Sequence, residues 1–207
     1  MNINLAFDIG YNLGDFSKRL LEKFPDACIV GVEANGDILP SAYTHENIAV
    51  VNAAVSDKSN EFIDFYTSPI HTISTSSKKW MEGRFKGLQW NIPTSIVTIT
   101  IDDLIKNYGE PDMIKIDIEG YELTALKGLT KKSGMLMFEW TEESFHSETL
   151  KCVEHIQNIG YTKFCYTDSK TENGGFVDLK FYDWETLDIT NKINPLRQEE
   201  WGMIYAI

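Results

Sequence analysis

Residues 112–122 place charged side chains at the end of a short apolar strand. Three isoleucines alternate with Lys115, Asp117 and Glu119, and Gly120 follows them. A buried strand that ends in carboxylates beside a glycine is where α/β enzymes commonly place catalytic groups, because such carboxylates accept protons or hold cations. The alternative is a solvated edge strand ending in a polar turn. It is less favoured because a second glycine-rich turn near the N-terminus complements this one.

The second turn lies in residues 7–14, between a predicted strand and a predicted helix. Gly10 allows a sharp turn and Gly14 allows close approach to the start of the helix. Exposed amides at a helix N-terminus favour a carboxylate or a phosphate. Glu33 ends the next strand, 19 residues after Gly14, where a carboxylate can accept the hydroxyls of a ribose.

Two cofactors fit such a turn, and the residue types favour one of them. A dinucleotide needs G-x-G-x-x-G, whereas this chain has G-x-x-x-G with Asn12 at the middle position. Asp8 would repel a pyrophosphate but suits an ammonium group. The pattern therefore predicts S-adenosylmethionine rather than NAD. An ordinary βαβ turn without a ligand is the remaining alternative.

The overall composition excludes several classes of protein. The 207 residues suffice for one domain, which we predict to span 1–207. A net charge of −12 disfavours nucleic acid as a partner. No apolar run approaches about 18 residues, so no membrane association is expected. No basic region followed by an apolar core opens the chain, and three scattered cysteines suit a reducing compartment. The sequence therefore predicts a cytoplasmic protein.

Strand and helix patterns alternate along the chain, which predicts an α/β fold with a mostly parallel sheet and helices on both faces. The predicted strands are 3–9, 27–32, 47–55, 112–118, 135–140, 161–166 and 201–207, with a further strand-like piece near 177–182. The predicted helices are 13–24, 102–108, 121–126 and 150–159, with a short one before Pro40. Residues 61–101 interrupt the alternation. We predict there an antiparallel insertion, with strands at 61–66 and 96–101, and a long loop that is functional or mobile.

Several motifs together resemble the FkbM-type methyltransferases, a family of S-adenosylmethionine-dependent enzymes known mainly for O-methylation. The most specific is I-K-I-D-I-E-G-Y-E at 114–122. The resemblance runs from Phe7 to about Glu143 and also rests on F-D-I-G-Y-N-L-G (7–14), V-E-A-N (32–35), N-A-A-V-S-D (52–57), I-S-T-S-S (73–77), T-I-D-D-L (100–104) and M-F-E (137–139). The family usually has Ala where Tyr11 stands and Pro where Asn35 stands. Tyr11 is expected to narrow the mouth of the cofactor site.

The resemblance implies a three-layer, Rossmann-like class I methyltransferase fold, in which a mostly parallel seven-stranded sheet has an antiparallel last strand. It also implies that five residues surround the amino acid and the ribose of S-adenosylmethionine: Asp8, Gly10, Asn12, Gly14 and Glu33. Three residues at the end of the third strand would border the adenine: Asn52, Ala53 and Ala54.

The candidates for catalysis are Asp117, Glu139 and Lys115. Asp117 and Glu139 end neighbouring strands, so each is a candidate base or a group that orients the acceptor hydroxyl. They could instead share a Mg²⁺ ion, with Glu119 and Glu142 nearby in sequence, although we expect no metal. Lys115 lies on the same strand face as Asp117 and either holds that carboxylate ionised, contacts a substrate, or forms a structural ion pair.

The leading hypothesis is thus an S-adenosylmethionine-dependent methyltransferase that acts on a hydroxyl of a small-molecule or glycan acceptor, either a saccharide or a natural product. The alternatives are an N- or RNA methyltransferase, a non-catalytic binding module and an NAD-linked oxidoreductase. His71 and His146 are within possible reach of the pocket. Four loop aromatics are candidates to line the acceptor site: Trp80, Phe85, Trp90 and Trp140. The antiparallel insertion could also pair across a homodimer.

Overall fold

The structure is a computed structural model that describes residues 2–171, 179–189 and 200–207. Its strands are β1 (Leu5–Ile9), β2 (Cys28–Glu33), β3 (Ile48–Asn52), β4 (Ala54–Val55), β5 (Phe62–Phe65), β6 (Thr94–Ile99), β7 (Met113–Ile116), β8 (Met135–Thr141), β9 (Phe164–Tyr166) and β10 (Trp201–Ala206). Its α-helices are α1 (Asp15–Lys23), α2 (Lys78–Glu82), α3 (Ile101–Tyr108), α4 (Glu122–Lys127), α5 (Glu142–Ser144), α6 (Leu150–Asn158) and α7 (Trp184–Leu187). A π-helical turn, Phe145–Thr149, joins α5 to α6, and 3₁₀ turns occupy Gly36–Ser41 and His71–Ile73.

Seven strands form the main sheet in the order β3-β2-β1-β7-β8-β10-β9. The pairs from β3 to β8 are parallel, and β10 is antiparallel to both β8 and β9. This confirms the predicted α/β fold with an antiparallel last strand. The strand order changes direction between β1 and β7, and the carboxyl ends of these two strands are therefore the expected place for a ligand.

The apolar side chains of the sheet divide between two cores. On one face, alternate residues of β1, β7 and β8 pack against α3, α4 and α6. On the other face, Ala6, Met113 and Met137 pack with Phe16 and Leu20 of α1. Because both faces are covered, the central strands are apolar almost throughout, and a charged residue within them is an exception that needs a partner.

The predicted third strand, 47–55, is in fact two strands. β3 ends at Asn52, and Ala53 donates its backbone N–H to the Glu33 carbonyl at 3.1 Å. The chain then leaves the main sheet, and β4 pairs in parallel with β6. Strand β6 is antiparallel to β5, which confirms the predicted antiparallel pairing within 61–101.

Local capping explains two further differences from the prediction. Helix α3 begins at Ile101, one residue before the predicted start, because the Thr100 side chain caps it by accepting the Asp103 N–H at 3.1 Å. Asp102, in the first turn, accepts the Thr130 hydroxyl at 2.6 Å. Helix α2 was not predicted within the loop 67–95, and the Ser77 side chain caps it by accepting the Trp80 N–H at 3.3 Å.

Of the strand-like piece near 177–182, residues 177 and 178 lie outside the described residues, and Tyr182 forms an isolated antiparallel bridge with Phe164.

Within the described part of the chain, every helix is too short or too polar to cross a bilayer.

Candidate functional site

A cavity of about 520 Å³, which we call the first cavity, opens at the carboxyl ends of β1, β2 and β7. Its volume lies within the roughly 300–1,000 Å³ that suits a cofactor-sized ligand. The turn after β1 supplies Gly10 and Asn12, and β2 supplies Glu33. Ala53, Ala54, Val55 and Phe65 form an apolar wall, and Asp117, Ile118 and Glu119 form the wall that follows β7.

Gly10 brings the first turn into contact with the turn after β7. Its φ of +81° is in the left-handed region, and an ideal Cβ at this position would overlap the carbonyl oxygen of Asp117. The Gly10 carbonyl accepts the Lys115 ammonium at 3.0 Å. Only glycine satisfies both the backbone angle and the close approach, and the two turns therefore form one continuous rim.

Glu33 holds the first turn and also faces the cavity. One carboxylate oxygen accepts the Asn12 N–H at 2.8 Å and the other accepts the Asn35 N–H at 2.6 Å. Asn12 has a φ of +50°, which directs its amide toward Glu33. Burial raises the pKa of Glu33, while the two N–H donors oppose that shift. Each oxygen keeps a further lone pair, so the carboxylate can also accept ligand hydroxyls.

Asp8 differs from its prediction. The carboxylate is completely buried beneath the first cavity and does not line it. One oxygen accepts the Ser17 hydroxyl at 2.7 Å, and the other lies 3.2 Å from Lys115 Nζ. The predicted contact with a cofactor ammonium would need Asp8 on the cavity wall. We therefore correct its position to that of a partner for Lys115.

Gly14 and Asn52 also lie behind the wall rather than on it. Gly14, at φ +81°, precedes α1 and packs on the Tyr11 ring. Asn52 donates its side-chain amide to the Glu33 carbonyl at 2.8 Å. Both residues support the turns that carry the lining residues, whereas Ala53 and Ala54 lie on the cavity wall.

Tyr11 is almost fully buried. Its ring lies against Gly31 and Gly14, and its hydroxyl donates to the Tyr43 carbonyl. A Cβ at Gly31 would be 2.8 Å from the ring carbon Cγ. The two glycines thus make room for a large side chain at this position. Tyr11 thus fills a slot in the wall of the first cavity, and the predicted narrowing of the mouth stays a prediction.

Lys115 forms a structural ion pair, which is one of the three roles that the sequence allowed for it. It sits opposite Asp8 in the β1–β7 register, and its Nζ lies 3.2 Å from Asp8 and 3.4 Å from Asp117. Burial opposes the charge on Lys115, but the two carboxylates outweigh burial and raise the pKa of the ammonium. Lys115 is therefore a permanent cation beneath the rim, in contact with both turns.

Three carboxylates form what we call the carboxylate cluster: Asp117, Glu119 and Glu139. One oxygen of each lies within 4.8 Å of the others. Asp117 and Glu139 are thus neighbours as predicted, and Glu119 is the third member. Burial, together with the charges of the neighbouring carboxylates, raises the pKa of Glu119 and of Glu139 well above the ordinary value. Glu119 has a φ of +58°, a strained angle of the kind that clusters at functional sites.

Two other glutamates, near the cluster members in sequence, accept backbone N–H groups. Glu122 accepts the N–H groups of Ile118 and Gly120, at 3.0 and 3.3 Å, and so fixes the turn after β7. Glu142 accepts the Glu200 N–H at 3.1 Å. Glu142 is therefore not a member of the carboxylate cluster.

A second cavity of about 240 Å³ lies on the other side of the cluster. Glu139 lines this second cavity and not the first, whereas Asp117 and Glu119 line the first. Trp80 and Arg84, which both lie within residues 67–95, also line the second cavity. The carboxylate cluster therefore stands between two cavities.

The remaining candidates divide clearly. His71 lines the first cavity, whereas His146 is exposed and lines neither. Trp140 is a core residue whose indole N–H donates to the Thr167 carbonyl at 3.0 Å. Phe85 packs on Trp80 with ring centroids 5.3 Å apart, and Trp90 is on neither wall.

Sequence reasoning missed several lining residues. Arg19 lies on the wall of the first cavity, and Arg84 and Glu143 form an ion pair at 3.1 Å in the second. Arg19 lies in the predicted helix that follows the first turn, so its helical spacing was a signal in the sequence that it could reach the cavity. The pairing of Arg84 with Glu143, 59 residues apart, has no local signature.

These features together define a class I methyltransferase fold with a ligand cavity at the switch in strand order. The family profile described as "Methyltransferase FkbM domain" matches residues 8–162. The chain belongs to the FkbM methyltransferase domain family.

Two solved structures show the fold. The methyltransferase FkbM of Methylobacillus flagellatus KT is 16% identical with a TM-score of 0.55, and the match covers 100% of this chain and 44% of that one. The precorrin-6y C5,15-methyltransferase of Geobacter metallireducens GS-15 is 14% identical with a TM-score of 0.50, and the match covers 99% and 78%. This chain thus spans less than half the length of the first of these. No curated protein sequence shows significant similarity to it.

Proposed function

We propose that this protein is an S-adenosylmethionine-dependent methyltransferase that methylates a hydroxyl of a saccharide or natural-product acceptor. One observation carries the proposal: a single cavity joins the glycine turn after β1, the Glu33 carboxylate and the rim after β7. Family membership supports the methyltransferase activity, and the cavity supports the cofactor.

The residues on the wall fit the three parts of S-adenosylmethionine. Glu33 retains lone pairs for the two ribose hydroxyls. The apolar wall formed by Ala53, Ala54 and Val55 suits the adenine. Glu119 is the wall carboxylate that suits an ammonium, and the exposed Arg19 suits a carboxylate. Asp8 is not needed for this fit because Lys115 already neutralises it.

The protein's own part in the reaction is to position the acceptor and to take its proton. When bound, S-adenosylmethionine supplies a methyl group on a sulfonium, whose C–S bond breaks toward sulfur as the O–CH₃ bond forms. Glu139, when ionised, accepts the hydroxyl proton as that bond forms. A raised pKa strengthens a carboxylate as a base near neutral pH. Lys115 keeps Asp117 in place at 3.4 Å.

We propose a general base in preference to a metal ion. Asp117 already has the Lys115 ammonium beside it and a second cation there would be repelled. The oxygens of the carboxylate cluster are nevertheless close enough to share one divalent ion, so removal of metal is a direct test.

We further propose that the partners are limited to a small-molecule or glycan acceptor and a second copy of the chain. The net charge of −12 opposes nucleic acid and anionic membrane surfaces. Strand β5 lies at one end of the three-stranded sheet, and Phe62 on it is 72% exposed. An edge strand with an exposed aromatic residue favours pairing between protomers. Phe62→Asp should lower the mass measured by light scattering if this homodimer forms.

Calorimetric titration with S-adenosylmethionine tests the cofactor proposal. Glu33→Gln should weaken binding by about 10- to 100-fold, the range for hydrogen bonds to a charged acceptor. Asp37→Asn is the matched control, because Asp37 is exposed, lies four residues away and is not on the cavity wall. No binding to the native protein would refute the proposal.

A further inference from the structure

The second cavity has features of a built binding site rather than of a packing gap. The indole of Trp80 is 6% exposed, yet its N–H has no hydrogen-bond partner among the described residues. A Cβ at Gly120 would be 2.7 Å from the Trp80 ring, so the ring packs closely against the turn after β7. A buried indole N–H without a partner is costly, and a ligand in the cavity that Trp80 lines would satisfy it.

A second atom in the same cavity lacks a partner and has the opposite character. Glu143 pairs with Arg84 through Oε2, while its buried Oε1 accepts no hydrogen bond within the described part of the chain. Two residues that line the cavity thus have unpartnered polar atoms, a donor on Trp80 and an acceptor on Glu143. Hydroxyl groups satisfy both, because each hydroxyl donates and accepts.

The charges on the wall exclude an anionic ligand. The charged lining residues are Glu122, Glu139, Glu143 and Glu148 against Lys79 and Arg84. Both cations already lie in ion pairs with glutamates, at 3.0 and 3.1 Å. A phosphate or carboxylate would therefore find no unpaired cation among the described residues of this wall. An ammonium would be attracted, but the same carboxylates would hold it protonated, without the lone pair that a methyl acceptor needs.

The size of the cavity sets a further limit. Its volume of about 240 Å³ is below the roughly 300–1,000 Å³ of pockets for drug-sized ligands. It therefore receives a single ring rather than a large polycycle. Glu139, the proposed base, lines this cavity, so a hydroxyl held here would be next to it.

We propose that the second cavity is the acceptor site and that it receives an uncharged, polyhydroxylated ring of monosaccharide size, held by Trp80 Nε1 and Glu143 Oε1. This inference rests on the proposed function, since it names the acceptor of the same reaction. It decides between the two acceptor classes in favour of a saccharide.

Saturation-transfer NMR with two matched probes tests this inference in the presence of S-adenosylhomocysteine. The probes are methyl glucopyranoside and its uronate, which differ in charge at one position. The uncharged probe should bind more tightly. Tighter binding of the uronate, or no binding of either probe, would overturn the inference.

Two variants locate the binding. Trp80→Phe keeps a ring against Gly120 and removes the N–H, so the uncharged probe should bind about three- to tenfold more weakly. Trp90→Phe is the matched control, because Trp90 also has a buried, unpartnered indole N–H but lines neither cavity. Glu143→Gln should also weaken the binding of the uncharged probe. Equal effects of Trp80→Phe and Trp90→Phe would contradict the assignment.

Titration with S-adenosylmethionine separates the two ways of failing. Native protein that does not bind S-adenosylmethionine refutes the proposed function itself. If the cofactor binds equally to the native protein and to Trp80→Phe, the variant is folded, and an unchanged affinity for the glycoside then refutes only the acceptor site.

Discussion

Lys115 Nζ lies 3.2 Å from Asp8 Oδ1, across the neighbouring strands β7 and β1, with both side chains almost fully buried. The same ammonium contacts the Gly10 carbonyl and Asp117. One cation thus joins the two turns that border the first cavity. Its removal should affect stability and the shape of the cavity together.

Lys115→Met should destabilise the protein by about 3–5 kcal/mol, because it leaves Asp8 buried without its cation. The double variant Lys115→Met/Asp8→Asn should recover part of this loss, since the uncompensated charge is gone. Urea unfolding measures both. If the stability losses of the single variants Lys115→Met and Asp8→Asn simply add in the double variant, the ion pair is not energetically coupled.

Gly10→Ala should cost more than backbone strain alone. At Gly87, with φ +91° and no atom near an added Cβ, alanine should cost about 1–2 kcal/mol for the left-handed angle. At Gly10 the added Cβ also overlaps the Asp117 carbonyl, so the free energy of unfolding should fall by a further 1–3 kcal/mol or so. Urea unfolding of the two variants compares them, and equal losses would show that the two turns do not touch.

Glu122 should make the protein less stable as pH rises. Burial raises its pKa from 4.5 to about 7 in the folded state. Between these values the native state binds more protons than the unfolded state, so the free energy of unfolding falls with pH, by on the order of 3 kcal/mol in total. Glu122→Gln should reduce this slope in urea titrations from about pH 5 to pH 8. Glu154→Gln, on an exposed part of α6, should leave it unchanged.

Glu139 should titrate well above the ordinary glutamate value of 4.5. Burial is the main cause, and the charge of Glu119 adds to it, so Glu119→Gln should lower the pKa of Glu139. Carboxyl-labelled glutamate NMR measures both values. Because the base must be ionised, methyl transfer should decline as pH falls through the Glu139 pKa. A Glu139→Gln variant with an unchanged rate would exclude this residue as the base.

Chelation should leave the affinity for S-adenosylmethionine and the rate of methyl transfer unchanged, because Lys115 already occupies the cation position beside Asp117. Calorimetry and activity with and without EDTA provide the measurement. A loss that Mg²⁺ restores would make the carboxylate cluster a metal site instead.

The parts of the fold that could be predicted from sequence are those with a local cause. Strand β1 ends where Gly10 follows an apolar run, and β2 ends at Glu33, so both turns were visible as patterns of residue types. The break between β3 and β4 was not visible, because Ala53 and Ala54 continue an apolar run. A hydrogen bond from Ala53 to Glu33, 20 residues earlier, decides it.

By itself, the sequence determined the α/β fold and the placement of Gly10, Glu33 and Asp117 at strand ends, because hydrophobic periodicity and glycine turns act over a few residues. The tertiary structure alone decided that Asp8 faces Lys115 rather than the cavity. It also decided that Glu119 and Glu139 meet between two cavities. Those contacts depend on the register of strands that are distant in sequence, and on burial, which sets the charge of each carboxylate.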